Sequence, residues 1–288
     1  MSLERCTIDS EPPKLPRELE RHIFELSATA DRTSIPKYLR VAHRVHVWIE
    51  PILYNILLLQ GPDERRPVRA DQLPLSPVDY RDAAFLASHV HHLNLSGALP
   101  HDQLRTLLSA CTGTRTLALW SPLPRPGPNL LPLLQAMPRL TRLSADVTHL
   151  CGGPLRLDIA HAAFAALTHL DVLAAPFDDW RLCAGLARAP ALTHLTFRDK
   201  FHPSVLRGAL AHCRGLRAVG VIWSARKSAV DVREGEVVDV RLFMTICRDW
   251  VEDWETSVNG GWDIWARAEA FIAQKEAGEI KASRLWFK

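Results

Sequence analysis

Apolar and polar residues alternate through the middle of the chain in short segments that recur: His-His-Leu93-Asn-Leu95, Arg-Thr-Leu117-Ala-Leu119, Thr-Arg-Leu143-Ser-Ala145, Thr-His-Leu170-Asp-Val172, Thr-His-Leu195-Thr-Phe197 and Arg-Ala-Val219-Gly-Val221. Their first apolar members stand 24, 26, 27, 25 and 24 residues apart, and a fixed period in this range marks a repeat architecture. Aligned on those members, the column six residues upstream reads Ala87, Cys111, Met137, Phe164, Ala189, Cys213. The column three upstream reads Val90, Thr114, Leu140, Leu167, Leu192, Leu216. With the two strand columns these hold 23 apolar residues in 24 positions, whereas the interleaved columns hold 5 in 18. Such alternation points one set of side chains inward and the other outward, as a β-strand does. Between the strands, Leu104, Leu107, Leu108 and Cys111, then Leu130, Leu133, Leu134 and Met137, then Val205, Leu210 and Cys213 carry helical spacing. Each unit is therefore one strand plus one helix or helical turn, and connections of that length make the strands parallel. Val238 to Ile246 alternates like a seventh strand.

Both ends break the pattern. Leu15-Pro16-Arg17-Glu18-Leu19 opens a helix with proline in its first turn and sets Leu19, Ile23 and Leu26 in one apolar stripe. A second helix follows Ser34, with Pro36 just inside, and runs through Leu39, Ala42, Val45 and Ile49 to Pro51; a third starts at Pro51-Ile-Leu53-Tyr54. Three helices in about 45 residues build a small core, so the module must pack on the repeats, on a partner, or on both. Residues 61–80, rich in proline and charge, read as a linker. At the far end leucine gives way to tryptophan: of 42 leucines only Leu285 lies beyond residue 242, and five of nine tryptophans lie at or beyond Trp250. Trp250 and Trp254 are one helical turn apart, and a helix from Asp263 carries Ile264, Trp265, Ala268, Phe271 and Ile272 on one side, the cap expected over the last apolar face of the stack. The fold class is thus α/β: a flexible N-terminus 1–14, a three-helix module 15–60, the linker 61–80, an irregular parallel-strand solenoid 81–246, and a helical aromatic cap 247–288.

From about residue 83 to 246 the repeats resemble leucine-rich repeats, L-x-x-L-x-L followed by an Asn or Cys rung. The rung positions here, Ala98, Pro122, Thr148, Ala175, Lys200 and Ser224, cannot form a continuous asparagine ladder. The solenoid is therefore expected to be degenerate, with an inserted loop around Cys151-Gly-Gly-Pro154. The N-terminal segments Leu15-Pro16-x-Glu18-Leu19-x-x-x-Ile23-Phe24-x-Leu26, Leu39-x-Val41-x-x-Arg44 and Pro51-x-Leu53-Tyr54 resemble an F-box over residues 15 to about 57, in the divergent form of fungal, basidiomycete-type F-box proteins; Val45 stands where the common pattern has Trp. Asp-Trp-x-x-Asp-Trp-Glu and Trp-x-x-Ala-Glu-x-Phe-Ile near the C-terminus are similar to the tails of that group. The resemblance implies a non-enzymatic substrate receptor of a Skp-cullin-F-box ubiquitin ligase. Leu15, Pro16, Leu19, Ile23, Phe24, Leu39 and Leu53 would bind the Skp-type adaptor, and the repeats a protein substrate. The strand alternation itself singles out a polar face, with His92, Asn94, Trp120, Arg142, Asp146, His169, Asp171, His194 and Arg198 free to grip a partner through aromatic and charge-assisted contacts. The alternatives are a leucine-rich-repeat interaction scaffold with no ubiquitin-ligase role, and an enzyme hidden in the inserted loops.

Charge and motifs narrow the chemistry. Lys plus Arg at 35 against Asp plus Glu at 32 gives +3, too little for phosphate neutralisation on nucleic acid or a polybasic membrane anchor. No run approaches 18 apolar residues and the first residues are polar, so neither a membrane span nor a secretory signal is expected; the reading is cytoplasmic, nuclear or both. Six cysteines, at separations of 105, 40, 32, 30 and 34 residues, include no C-x-x-C and read as reduced core residues. Phosphate-loop, dinucleotide and nucleophile-elbow motifs are missing. Among thirteen histidines, His43 with His46, His149 with Cys151, and His212 with Cys213 are close, yet no four ligands stand at structural-zinc spacing. No cofactor or metal is expected.

Overall fold

The computed structural model describes residues 15–61, 81–121, 129–146, 164–173, 179–199, 201–225 and 237–287. The expected flexible N-terminus, all of the linker but Gly61 (62–80), the loop at Cys151–Pro154 and the rung positions Pro122, Thr148, Ala175 and Lys200 lie outside the described residues. The chain divides into two compact units between Asn55 and Ile56. No helix among the described residues is long and apolar enough to cross a membrane.

The first unit holds α1 (Arg17–Ala30), a 3₁₀ turn at Arg32–Ser34, α2 (Ile35–Tyr38) and α3 (His43–Asn55). Ala28, Ile35, Val45, Trp48 and Ile49 form its buried core, with Phe24, Tyr38, Leu39 and Leu53 packed against them. Arg44 Nη2 lies 2.7 Å from Glu20 Oε1, joining α3 to α1, and Arg32 Nη1 donates to the Ile52 carbonyl at 3.0 Å near the end of α3. Two expectations are corrected here. The helix expected from Ser34 to Pro51 is interrupted after Tyr38, where turn bonds such as Val41 N to Tyr38 O at 3.0 Å take over. Pro51 does not end a helix: it lies inside α3, and Ile52 to Tyr54 belong to the last turn of α3 instead of a third separate helix. Proline there denies a partner to the carbonyl of Val47, an exposed residue, while Trp48, Ile49 and Tyr54 stay buried around it; packing outweighs the local preference.

The second unit runs β1 (Ile56–Gln60), α4 (Ala83–His89), β2 (His92–Ser96), α5 (His101–Ala110), β3 (Thr116–Trp120), α6 (Leu131–Gln135), β4 (Arg142–Ala145), β5 (His169–Val172), 3₁₀ turns at Trp180–Leu182 and Ala184–Arg188, β6 (His194–Arg198), α7 (Pro203–His212), β7 (Ala218–Trp223), β8 (Leu242–Ile246), α8 (Trp250–Val258) and α9 (Ile264–Glu276). All eight strands are parallel and stand in chain order, which makes a solenoid-like α/β sheet about 34 Å across from first strand to last. The register pairs Leu93, Leu117, Leu143, Leu170, Leu195 and Val219 side by side, as the period requires, and extends to Leu57 at one end and Leu242 at the other. These leucines and the residues two positions on are buried with Cys111, Met137, Leu140, Phe164, Leu167, Leu192 and Leu216 of the upstream columns. Thr114, the one polar residue of those columns, is fully buried and donates to the Cys111 carbonyl at 2.7 Å.

Three boundaries differ from expectation. Ile56–Gln60, counted with the helical module, is the first strand. Its Ile-Leu-Leu-Leu run does not alternate because both faces are covered: Leu57 and Leu59 sit in the core, and Leu58 clusters with Val251 and Trp254 of α8. The strand expected from Val238 begins only at Leu242 and is the eighth. The C-terminal cap is also placed differently. Its last residues do cover the sheet edge, where Trp286 bridges Met244 in parallel and Leu285 is buried. Its helices, however, lie on the polar side of the strands: Ile264, Ala268, Phe271 and Ile272 pack on Ala218, Ile222 and Phe243.

The missing asparagine ladder has a substitute at the opposite edge. The carbonyl preceding each of β2–β6 accepts two backbone N–H bonds from the next repeat, as His91 O does from Arg115 N at 2.7 Å and Thr116 N at 3.1 Å. Thr141, Thr168 and Thr193 add a hydroxyl each, donating to Arg115 O, Thr141 O and Thr168 O at 3.2, 3.0 and 3.1 Å. Of the rung positions described, Ser224 gives both its N–H and its hydroxyl to Asp199 Oδ1 at 2.6 and 2.8 Å.

Candidate functional site

Strand alternation sends Trp120, Arg142, Ser144, His169, Asp171, His194, Thr196 and Arg198 to one side of β3–β6. α8 and α9 meet them there with Trp250, Asp253, Trp254, Ser257 and Trp265. All of these but His194 and Thr196 line a half-open cleft of about 60 Å³. That holds a few waters and falls well below the roughly 300–1,000 Å³ of ordinary small-molecule sites.

Arg198 is the centre of the cleft. Its guanidinium lies 3.7 Å from the Trp250 ring and 4.7 Å from that of Trp120. It donates through Nε to Asp171 Oδ2 at 2.7 Å and through Nη2 to Ser144 Oγ at 2.9 Å. Ser144 also accepts from Trp120 Nε1 at 2.7 Å and donates to Asp171 Oδ2 at 2.7 Å, while Thr196 donates to Asp171 Oδ1 at 2.9 Å. The buried carboxylate is thus neutralised and fully bonded, the condition under which a charge tolerates burial. Ser144 thus donates its one hydroxyl proton to the Asp171 carboxylate and accepts two hydrogen bonds on its oxygen.

Beside this network the rings of His169 and His194 stack at 4.1 Å, 5° from parallel, with the edge of Trp265 against both at 5.2 and 5.4 Å. His194 Nε2 lies 3.0 Å from Glu269 Oε1, which ties β6 to α9. Burial pushes His169 down to about 2, helped by His194 and Arg142; it also holds His194 below its ordinary value against the attraction of Glu269. Arg142 Nη1 donates to Ser257 Oγ at 2.8 Å and stands 3.7 Å from Asp263 Oδ2, fastening β4 to both helices. Asp253 accepts from Ile264 N at 3.0 Å and Arg267 Nη2 at 3.1 Å. Burial raises it to about 6 despite Arg267.

The polar face expected to be free is therefore largely covered. Asn94, Asp171 and His194 are buried, and His92, Trp120, Arg142, Asp146, His169 and Arg198 are half-buried. Trp120, Arg142, His169, Asp171 and Arg198 come together around the cleft, and His194 joins them through the ring stack; His92, Asn94 and Asp146 are not among its walls. The physical reason is the amphipathic C-terminus: apolar side chains on α8 and α9 need a surface, and Leu58, Ala118, Phe243 and Ile222 supply one on this face. Asp253, Ser257 and Glu269 carry no signal of a site in the sequence, while Trp250 and Trp265 belong to aromatic segments that read as a cap or, alternatively, as an aromatic peptide-binding surface. Their tryptophan spacing was visible, but nothing in it says which face of the sheet they meet.

In the first unit the expected adaptor-binding residues separate into two groups. Leu15, Pro16, Leu19 and Ile23 are exposed, while Phe24, Leu39 and Leu53 pack against the module's own core. Elsewhere the reactive groups are quiet. Burial lifts the thiols of Cys111, Cys183 and Cys247 to about 12 and that of Cys213 to about 11. Lys275, lowered to about 8 by burial, donates to the Leu242 carbonyl at 2.6 Å. Among the described residues no three His, Cys, Asp or Glu side chains are grouped to hold a metal ion. Compared with known proteins, the chain matches no family model, and no curated protein is significantly similar to it.

Proposed function

We propose that this chain is a non-enzymatic protein-interaction adaptor of the F-box type, whose N-terminal unit docks a Skp-type subunit of a ubiquitin ligase while the repeats present a protein substrate. One observation carries the reading. Leu15, Leu19, Ile23 and Leu26 are 46–57% exposed, and Val41 and Val47 are 59% and 55% exposed; the second unit contributes only Val238 and Trp262 to the exposed large hydrophobics of the described residues. Apolar side chains concentrated in one small unit mark an interaction surface more than a solvated one. Substrate contact then falls on the open rim of the cleft, where Trp120 and Arg142 are half-exposed, and on the outer surfaces of the repeats.

The test is co-purification of the full chain with a Skp subunit. Leu19→Asp with Ile23→Asp is expected to weaken the complex at least about a hundredfold, since each removes an exposed apolar anchor whose burial on docking is worth about 1.5–3 kcal/mol, and to leave the melting temperature unchanged. A wild-type chain that forms no complex, or a double variant that binds equally well, rejects the proposal.

A further inference from the structure

The near-neutral net charge conceals a local excess of exposed positive charge among the described residues of the repeats. Among the described residues between positions 81 and 225, eight arginines are exposed against two carboxylates, Asp82 and Asp102. Asp82 is already used, accepting from Phe85 N at 2.6 Å as the cap of α4. In a parallel sheet every strand starts at the same edge, so residues just ahead of successive strands gather there. His91 immediately precedes β2, Arg115 immediately precedes β3, and Arg139 lies three residues before β4. Neither guanidinium is paired with a carboxylate among the described residues, and both act on His91, whose imidazole is held below its ordinary value by burial first and then by Arg115, Arg139 and His89. The two guanidinium groups place positive charge along an edge about 10 Å wide from β2 to β4.

We infer that the edge carrying Arg115 and Arg139, beside His89 and His91, binds an acidic segment of a polypeptide through these two guanidinium groups. Guanidinium groups match carboxylates in two parallel hydrogen bonds. Single-stranded nucleic acid would also need exposed aromatic platforms, and no Phe, Trp or Tyr is exposed among the described residues of this stretch. The surface belongs to the repeats alone and is independent of the N-terminal docking face.

Fluorescence anisotropy of labelled hexaglutamate with the full chain tests it. A saturable rise at low ionic strength is expected, weakening as salt screens the charges. Arg115→Glu with Arg139→Glu is expected to weaken binding at least about tenfold, and the charge-matched Arg181→Glu with Arg207→Glu, on the outer helical side, no more than about twofold. If the first double variant does not fold, Arg115→Gln with Arg139→Gln carries the same comparison. No saturable rise, equal losses in the two double variants, or tighter binding of a labelled oligothymidylate of equal charge would overturn the inference.

Discussion

Two imidazoles stacked at 4.1 Å beneath an indole edge leave little place for a proton, and that has a thermodynamic consequence. In the unfolded chain His169 and His194 take up a proton near the ordinary histidine value of about 6.5, whereas in the fold both are lowered. The unfolded state therefore binds more protons below that value. Stability is complete above about pH 6.5 and falls by up to about 1.4 kcal/mol per pH unit per imidazole beneath it. Urea unfolding at about pH 7.5 and about pH 5.5 should show the loss, and His169→Phe, which keeps a ring in the stack but cannot titrate, should flatten the dependence. The same slope in both proteins would remove His169 as its cause. At this scale the polar residues were legible as a file along the strands. Their satisfaction was not, because Asp171 accepts from Ser144 and Arg198, each 27 residues away along the chain.

The threonines ahead of β4, β5 and β6 do locally what an asparagine ladder does after the strand. They stood in view in Thr-Arg-Leu143, Thr-His-Leu170 and Thr-His-Leu195, but the leucine-rich pattern directs attention to the other end of each strand. With each hydroxyl bond worth about 0.5–1.5 kcal/mol, replacing Thr141, Thr168 and Thr193 together by Val should lower the unfolding free energy by about 2–4 kcal/mol with an unchanged m-value. A chemical-denaturation midpoint that stays in place would show the ladder to be incidental. Element boundaries were hardest to read where a segment answers to two surfaces. β1 lacks alternation because Leu58 has its own cover from α8. α3 passes through Pro51 because buried residues lie on both sides of it.

The whole second unit depends on its last forty residues. Cutting the chain after Arg248 would uncover Ala218, Ile222 and Phe243 on β7 and β8, which α9 buries to 3% exposure or less, and would remove the closure of the β8 edge by Trp286. A chain so shortened should lose its cooperative melting transition and bind a hydrophobic dye; normal melting would mean that α8 and α9 are accessory. The period of 24 to 27 residues, the side-by-side leucines and the inward face of β2–β8 were determined by the sequence alone, because a side chain's face follows from its parity along a strand and its neighbour from the repeat length. Where the C-terminal helices came to rest was decided only in three dimensions. Their apolar stripe is compatible with any greasy surface, and the choice of the polar face over the end of the stack rests on Leu58, Ala118, Gly220 and Phe243, residues scattered over nearly 190 positions of chain. Gly220 shows the reason at atomic scale: a β-carbon there would lie 2.3 Å from the Phe243 ring, so only its absence leaves room for that ring against the strand, where it packs with α9.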